Sequence, residues 1–283
     1  RQVGWNRRVL ELGAAHGHVT RALAAQNNRV TAVEFDPEAA TVLKTMAEEV
    51  VIGDLNVPET LSSVTGPFDV LLAGDVLEHL LDPERVLLQA LTLLAPGGHV
   101  VVSLPNIAHA DVRLSLLAGR FEYNAYGLLD ATHLRFFTYK TLQDLVKRAG
   151  LVITEMQRVR VPAFESELRV SRQSVPTSVV NEILEDPEAE TYQFVFTAVR
   201  DEGDERLTQL ARQYTELKDA HEALLIAHKA TEVRLRNTQQ RAATLKQRLA
   251  ATQAQLKALR ASKAVRYSAP ARKIWTSLRG AGQ

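Results

Sequence analysis

The sequence contains no cysteine, which excludes disulfides and metal sites built from thiolates. It also lacks any apolar run near the ~20 residues that a membrane-spanning helix needs, and its start does not match a secretory signal peptide. Hydrophobic residues make up 46% of the chain and charged residues 24%, as is usual for a soluble protein that buries a core. We therefore expect a cytoplasmic protein.

Acidic residues are missing from the last part of the chain. Residues 233–283 contain 12 Lys or Arg and no Asp or Glu, whereas the preceding residues carry 22 basic and 33 acidic side chains. A basic tail on an acidic body indicates an anionic partner, although a solvated basic helix would have the same composition. Aromatic and basic residues are interleaved within residues 263–283, which suits either a membrane interface or partner surface, or a disordered tail.

Glycine and proline are absent from residues 205–262. Two series of residues repeat there with strict seven-residue spacing, as is typical of a coiled coil. Because such a stripe needs a partner to bury it, we predict a coiled coil over residues 201–262 and a homo-oligomer with an open number of strands. The two series are Leu210, Leu217, Leu224, Thr231, Thr238, Leu245, Thr252, Leu259 and Leu207, Tyr214, His221, His228, Leu235, Ala242, Leu249, Leu256.

Residues 1–200 instead alternate short apolar runs with helical patterns. Asp36-Pro37-Glu38 and Asp82-Pro83-Glu84 are typical helix starts, with the second helix ending before Pro96, and Thr138 is a candidate N-cap. This alternation predicts a doubly wound, seven-stranded, mostly parallel α/β sheet. The strand candidates are Arg8–Leu12, Arg29–Glu34, Glu49–Ile52, Phe68–Ala73, His99–Leu104, Val152–Val161 and Thr191–Val199.

The stretch VLELGAAHGHVT, Val9–Thr20, has the pattern of a strand, a glycine-bearing loop and a helix. A dinucleotide-binding G-x-G-x-x-G loop requires two further glycines after Gly13, but Ala15 and His18 stand at those positions. What remains is E-x-G-x-x-x-G, formed by Glu11, Gly13 and Gly17. A cofactor without a pyrophosphate does not need the tighter set of glycines.

Acidic residues follow the next three predicted strands. Glu34 lies 21 residues after Gly13, where an acid accepts hydrogen bonds from a ribose diol. Asp54 follows the third strand and could accept from an adenine amino group, and Asp75 follows the fourth. Doubly wound sheets bind ligands at the carboxyl ends of their strands, so this ordered set indicates a nucleoside site. Ordinary loop acids are the alternative interpretation.

Residues 9–155 resemble the class I S-adenosylmethionine-dependent methyltransferases, most closely the group that includes the ubiquinone-biosynthesis O-methyltransferases. The resemblance implies a Rossmann-like fold and S-adenosylmethionine as cofactor. It implies that Glu34 holds the ribose and Asp54 the adenine. The methionine end would be lined by Glu11, Gly13, Ala15 and Gly17, and further candidates for the cofactor site are Phe35, Leu55 and Asp75. Ala15 departs from the commonest loop, which has glycine there.

A second motif, D-x-x-E-H, follows the fourth strand. Its spacing predicts that Asp75, Glu78 and His79 lie near one another on a helical turn, and with His133 they form a two-histidine, two-carboxylate set suited to Mg²⁺ or Mn²⁺. The set resembles the E-x-x-E-H plus distant His of small-RNA 2′-O-methyltransferases, with Asp75 in place of the first Glu.

The candidate catalytic residues are His79, His133 and Asp75. A bound cation would lower the pKa of an acceptor hydroxyl while a histidine takes its proton. Two alternatives stay open. Either His79 or His133 acts as a general base without metal, or both histidines only hold the loops by hydrogen bonds.

The segments around Pro105-Asn106 and Leu129–Thr138 resemble methyltransferase domains from bacterial cell-surface glycan clusters, and the rod resembles O-antigen chain-terminating enzymes. The resemblance implies O-methylation of a sugar hydroxyl on a surface glycan. The coiled coil would be a spacer, and the basic tail would meet a glycosyltransferase or the surface of the inner membrane.

Other acceptors and roles are kept as alternatives. A small molecule such as a quinone precursor or an antibiotic sugar is one, and a non-catalytic cap on a coiled-coil scaffold is another. Nucleic acid is disfavoured as a partner, since the sequence shows no base-stacking aromatic platform.

Overall fold

The computed structural model describes residues 2–172, 175–201 and 205–261. It confirms the predicted seven-stranded sheet, whose strand order is β3-β2-β1-β4-β5-β7-β6. β7 pairs antiparallel with both β5 and β6, and the other neighbouring strands pair in parallel. The strands are β1 Arg8–Leu12, β2 Arg29–Glu34, β3 Glu49–Ile52, β4 Phe68–Gly74, β5 Leu94–Pro105, β6 Leu151–Arg160 and β7 Thr191–Arg200.

The helices begin at the residues that the capping patterns predict. Asp36 accepts a hydrogen bond from the Glu38 backbone N–H at 2.9 Å, and Asp82 accepts from that of Arg85 at 3.0 Å. Thr138 forms a reciprocal capping box with its N3 residue. Each cap satisfies an N–H that the first helical turn would leave unpaired. The helices are α1 His18–Ala24, α2 Pro37–Leu43, α3 Pro58–Ser62, α4 Pro83–Leu91, α5 Ala110–Leu117, α6 Tyr139–Arg148, α7 Thr177–Ile183 and α8 Glu205–Ala261.

Strand β5 begins at Leu94, five residues before the predicted start at His99. The sequence predicts a break between helix and strand at Pro96, Gly97 and Gly98. These residues instead lie inside β5, at the point where its pairing with β4 shifts register. A Cβ on Gly98 would lie 2.9 Å from the Asp69 carbonyl oxygen. The glycine therefore permits the close approach of the two strands.

Both faces of the sheet are buried, as the apolar strands predict. Alternate residues of β1 enter different cores, with Leu10 and Leu12 on one face and Val9 on the other, because side chains alternate along a strand. The larger core includes the fully buried Phe68, Phe194 and Phe196. Two covered faces leave the carboxyl-terminal edge of the parallel strands as the place for polar loops.

The predicted helix beyond residue 200 is present as the single helix α8 of 57 residues. The chain divides into two compact units, Arg1–Ala220 and His221–Gln283. Among the described residues of the second unit, the leucines of the seven-residue series are exposed, Leu224 by 68% and Leu259 by 67%. No helix in the described ranges is long and apolar enough to cross a membrane. The predicted basic tail, residues 263–283, lies outside the described residues.

The start of α8 belongs to the first unit because Asp219 binds to it. Arg158 on β6 donates from Nη1 to Asp219 Oδ1 at 3.0 Å and from Nη2 to Glu188 Oε1 at 2.7 Å. Its side chain is 4% exposed, and its guanidinium lies over the ring of Tyr139. Tyr139 Oη also donates to Asp219. One buried guanidinium thus joins β6, the segment before β7 and α8.

We expect Arg158→Met to lower the free energy of unfolding by ~3–5 kcal/mol, since it leaves two partly buried carboxylates without their cation. The matched control is Arg148→Met, because Arg148 pairs with Glu84 at 2.7 Å on the surface and such pairs contribute ~0–1 kcal/mol. Urea unfolding followed by circular dichroism measures both. Equal destabilisation by the two substitutions would contradict a structural role for the buried pair.

Candidate active site

The loop between β1 and α1 needs glycine at the two positions that the sequence retains. Gly13 has φ of 63° and Gly17, the N-cap of α1, has φ of 75°. A Cβ on Gly13 would lie 2.7 Å from Val76 Cγ2, and one on Gly17 would lie 2.7 Å from Met46 Sδ. Both residues therefore adopt a backbone conformation that strains any residue except glycine. Neighbouring side chains also leave no room for a Cβ at either position.

Ala15 also adopts a left-handed conformation, with φ of 44°. Its backbone N–H donates to Glu34 Oε2 at 2.7 Å. The other oxygen of this carboxylate accepts from the backbone N–H groups of Phe35 at 3.0 Å and Asp36 at 2.9 Å. The Glu34 side chain, which is buried, therefore fixes the glycine loop as well as the turn after β2. A carboxylate has about four acceptor positions, so one remains for a ribose hydroxyl.

Glu11 lies at the end of β1, and only 3% of its surface is exposed. Thr20 Oγ1, on α1, donates to its Oε2 at 2.7 Å. Burial raises the pKa of Glu11 to about 7, against the lowering effect of the Thr20 hydrogen bond. Burial thus favours the protonated form of this carboxyl group, and a nearby ligand cation would favour its ionised form.

The other predicted cofactor residues follow β2 and β3, which pair in parallel with Glu34 opposite Ile52. The Phe35 ring is 73% exposed, whereas Leu55 is buried. Asp54 Oδ1 accepts from the Asn56 backbone N–H at 2.8 Å and side-chain amide at 3.0 Å. An exposed ring and an exposed carboxylate at one edge suit a purine base and its amino group.

Asp75 does not lie on the same helical turn as Glu78 and His79. The turn is a short 3₁₀ helix, Leu77–His79, and Asp75 precedes it with a left-handed φ of 53°. Its carboxylate accepts from Ser103 Oγ at 3.0 Å and from Gln193 Nε2 at 2.6 and 2.8 Å. These bonds direct Asp75 towards β5 and β7, which the D-x-x-E-H spacing did not indicate.

Glu78, His79 and His133 come together as predicted, with ligand atoms that all lie within 4.8 Å of one another. Glu78 Oε2 and His133 Nδ1 are buried and accept or donate no hydrogen bond among the described residues. Burial raises the pKa of Glu78 to about 8 and lowers the pKa of His133. Burial therefore favours the protonated form of Glu78 and the neutral form of His133.

Thr132 fixes the tautomer and orientation of His79. Its carbonyl oxygen lies 3.2 Å from His79 Nδ1 and its Oγ1 lies 3.0 Å from the same atom. Since Thr132 Oγ1 donates its own proton to Asp130 Oδ1 at 2.6 Å, both contacts require a proton on Nδ1. His79 Nε2 consequently carries a lone pair that is available to a proton or a cation.

His109, the third histidine of these loops, is structural. It is fully buried, its Nε2 lies 2.8 Å from the Val161 carbonyl oxygen, and its Nδ1 accepts from the Asp111 backbone N–H at the start of α5. The neighbouring Asn106 is also fully buried, and its amide bonds to the carbonyl oxygens of Glu188 and Thr191. Both residues anchor the loop after β5.

A row of rings that the sequence pattern did not indicate starts at this cluster. His79 and His133 have ring centroids 4.8 Å apart, and the row continues through Phe136 at 6.2 Å and Phe121 at 6.2 Å to Tyr123 at 5.5 Å. The three outer rings are exposed by 38%, 40% and 58% respectively. The clustering of Phe121, Tyr123 and Tyr126 near Phe136 in sequence was the available signal.

The chain matches a model of the methyltransferase domain family over residues 5–156. It is similar to a ubiquinone biosynthesis O-methyltransferase of Aeromonas salmonicida, with 23% identity over 59% of this chain and 72% of the relative. A protein of the same name from Xylella fastidiosa is 29% identical over 58% of this chain and 68% of the relative. The crystal structure of a SAM-dependent methyltransferase from Archaeoglobus fulgidus has a TM-score of 0.51 and 15% identity, covering 70% of this chain and 87% of that one.

We expect Ala15→Gly to raise the free energy of unfolding by up to ~1 kcal/mol. Glycine removes the ~1–2 kcal/mol cost of a left-handed alanine, and the greater freedom of the unfolded chain offsets part of this gain. Ala14→Gly is the control, because Ala14 is buried and has no positive φ, so it should destabilise. Thermal melts measure both, and a lower melting temperature for Ala15→Gly than for wild type would contradict the strain.

Proposed function

Since the chain belongs to the methyltransferase domain family and is an S-adenosylmethionine-dependent methyltransferase, we propose that its acceptor is a sugar hydroxyl of a bacterial surface glycan. The observation that carries O-methylation is the Glu78–His79–His133 cluster, which offers two imidazoles next to an exposed row of rings. S-adenosylmethionine supplies a methyl group on a sulfonium when bound. The protein then has to position the hydroxyl and accept its proton.

The residues at the ends of β1 to β3 fit the cofactor. Gly13 and Gly17 give the loop its two left-handed glycine turns, and Glu11 would face the methionine end. We assign the ribose to Glu34 and the adenine to Asp54, with the exposed ring of Phe35 beside the base. Leu55, buried at the end of β3, would line the same side.

His79 is our candidate general base. Thr132 holds its Nδ1 proton, so Nε2 can accept the proton of an acceptor hydroxyl. His133 is kept neutral by burial and is the second candidate, because its Nδ1 lies unpaired among the described residues. Asp75, the third candidate catalytic residue, would be held in place beside the two histidines by its hydrogen bonds to Ser103 and Gln193.

We also propose that Glu78, His79 and His133 hold a divalent cation. Three ligand atoms lie within 4.8 Å of one another, and two buried atoms of the set lack a partner among the described residues. Without Asp75 the set has one carboxylate and two imidazoles, which favours Mn²⁺ or another ion that binds imidazole over Mg²⁺. Such an ion would lower the pKa of a bound hydroxyl.

The glycan acceptor draws on the resemblance of the Leu129–Thr138 segment to glycan-cluster methyltransferases and on helix α8. A small acceptor needs no long helix, whereas a polymer-modifying enzyme can use one as a spacer, for instance in chain termination. We propose that exposed leucines of α8 pack in a coiled-coil homo-oligomer. The basic tail would then meet a glycosyltransferase or the inner-membrane surface.

A small-molecule acceptor is the second candidate, favoured by the relatives named ubiquinone biosynthesis O-methyltransferase. The identity of 23–29% extends over 58–59% of this chain. The glycan and small-molecule proposals differ in which acceptor the enzyme would methylate.

The acceptor is tested by methyl transfer from radiolabelled S-adenosylmethionine to a panel of neutral oligosaccharides and to a catechol quinone precursor, each with and without chelator. We expect transfer to an oligosaccharide and loss of it with chelator. Transfer to the quinone precursor alone would contradict the glycan proposal.

We expect His133→Ala to lower kcat by about 10²–10⁴-fold, the usual contribution of a general base or its metal, and to abolish Mn²⁺ binding measured by electron paramagnetic resonance. The control is His99→Asn, because His99 bonds to the Gln2 carbonyl oxygen elsewhere on the sheet. Lost activity with unchanged Mn²⁺ binding would support His133 as a general base and exclude it as a metal ligand. Unchanged turnover would exclude both roles.

Sedimentation equilibrium tests the oligomer. The wild-type chain should associate, and Leu245→Glu with Leu249→Glu should yield monomers, because two charges would enter the buried seam. Gln247→Glu, which lies outside the seven-residue series, should leave association unchanged. A wild-type chain that sediments as a monomer at all concentrations would contradict self-association.

A further inference from the structure

Beside the candidate active site lies a polar cavity with a volume of about 440 Å³, within the ~300–1,000 Å³ range of small-ligand sites. Ser115 of α5 lines it, together with one segment after α5 and one before α7. We call it the outer cavity. The larger polar side chains of its lining are Arg120, Glu122, Asn124, Tyr126, Glu167 and Arg169.

Alternate residues of the segment Arg120–Asn124 serve different surfaces. Residues 120, 122 and 124 line the outer cavity, whereas Phe121 and Tyr123 belong to the row of rings that starts at His133. Side chains alternate in this way along a strand-like segment. A single short segment therefore separates the outer cavity from the route to the cluster.

The charges of the outer cavity are balanced, with two arginines and two glutamates. Balanced charge argues against a multivalent anion such as a diphosphate, which would need excess positive charge. Guanidinium, carboxylate and amide groups each present two donors or acceptors side by side, as neighbouring hydroxyls of a sugar do. The chemistry of the lining therefore fits a neutral polyhydroxylated ligand.

The lining is partly fixed and partly free to bind. Glu167 accepts from the Leu128 backbone N–H at 2.7 Å and from Tyr192 Oη at 3.0 Å, so its position is set by the protein. Within the described residues, the side chains of Arg120 and Arg169 make no ion pair. These two guanidinium groups can donate to a ligand without losing a partner.

Exposed rings lie on both sides of the segment Arg120–Asn124. Tyr126, in the lining, is 69% exposed, and Phe136, Phe121 and Tyr123 form a contiguous exposed row. Contiguous exposed rings mark binding surfaces, and aromatic faces pack against the C–H faces of pyranose rings. A ligand that crosses the segment could thus contact rings on either side of it.

We propose that the outer cavity is a subsite for a neutral sugar unit next to the unit that is methylated. The acceptor is then at least a disaccharide, held by the cavity and the row of rings together. The inference rests on the proposed glycan acceptor. It adds that the enzyme recognises more than one sugar unit of this acceptor.

The test compares wild type, the double variant Arg120→Ala with Asn124→Ala, and the control Lys147→Ala, which changes an exposed residue of α6. Each protein, saturated with S-adenosylhomocysteine, is applied to an array of neutral monosaccharides and their oligosaccharides. Wild type and control should bind an oligosaccharide about 10-fold or more tighter than its monosaccharide, and the double variant should lose this preference. Glu122→Gln, a nearly isosteric change, should weaken the preference in part.

The affinity for S-adenosylhomocysteine, measured by calorimetry, should be equal in all four proteins. Equal affinity shows that each variant is folded. The absence of any preference for oligosaccharides in wild type, or a preference that survives in the double variant, would overturn the subsite. Methyl transfer by wild type to a monosaccharide and its oligosaccharide with equal KM would overturn it while leaving the glycan acceptor intact. Oligosaccharide binding without transfer to any glycan would refute the proposed function, and with it the place of the subsite next to a methylated unit.

Discussion

The carboxylate of Glu34 is the constraint on which the cofactor end of the sheet depends. It accepts three backbone N–H groups, one from Ala15 in the glycine loop and two from the turn after β2. A hydrogen bond to a charged group contributes ~1.5–3 kcal/mol, which is enough to offset the ~1–2 kcal/mol cost of a left-handed alanine. The loop therefore keeps its shape with Ala15 where related loops have glycine, and the missing glycine is no obstacle to a cofactor.

Most of the fold could be predicted because local signals and tertiary structure agree. Strands β1, β2 and β3 have the predicted bounds. For β1 and β2 the reason is that continuous apolar runs are typical of parallel strands covered on both faces. The start of β5 was missed because Pro96, Gly97 and Gly98 favour a turn, whereas close packing of Gly98 against β4 keeps them in the strand. Such packing depends on residues distant in sequence and has no local pattern.

The site was predictable where strand ends alone determine position. Glu78, His79 and His133 come together, although the last is 54 residues from its neighbour in the cluster. Asp75 differs because a left-handed turn directs it to Gln193 on β7, and β7 is the last strand of the sheet in sequence. The bonds of Thr132 to His79, and the row of rings, also form between loops, where spacing rules do not apply.

Glu34 organises the glycine loop, and we propose that this loop holds S-adenosylmethionine. The most direct test of this claim is the dissociation constant of S-adenosylmethionine, measured by calorimetry for wild type, Glu34→Gln and the control Glu38→Gln, whose side chain lies exposed at the start of α2. We expect Glu34→Gln to weaken binding by about 10–100-fold, as the loss of charge-assisted hydrogen bonds predicts, and the control to match wild type. Wild-type affinity in Glu34→Gln would contradict the account.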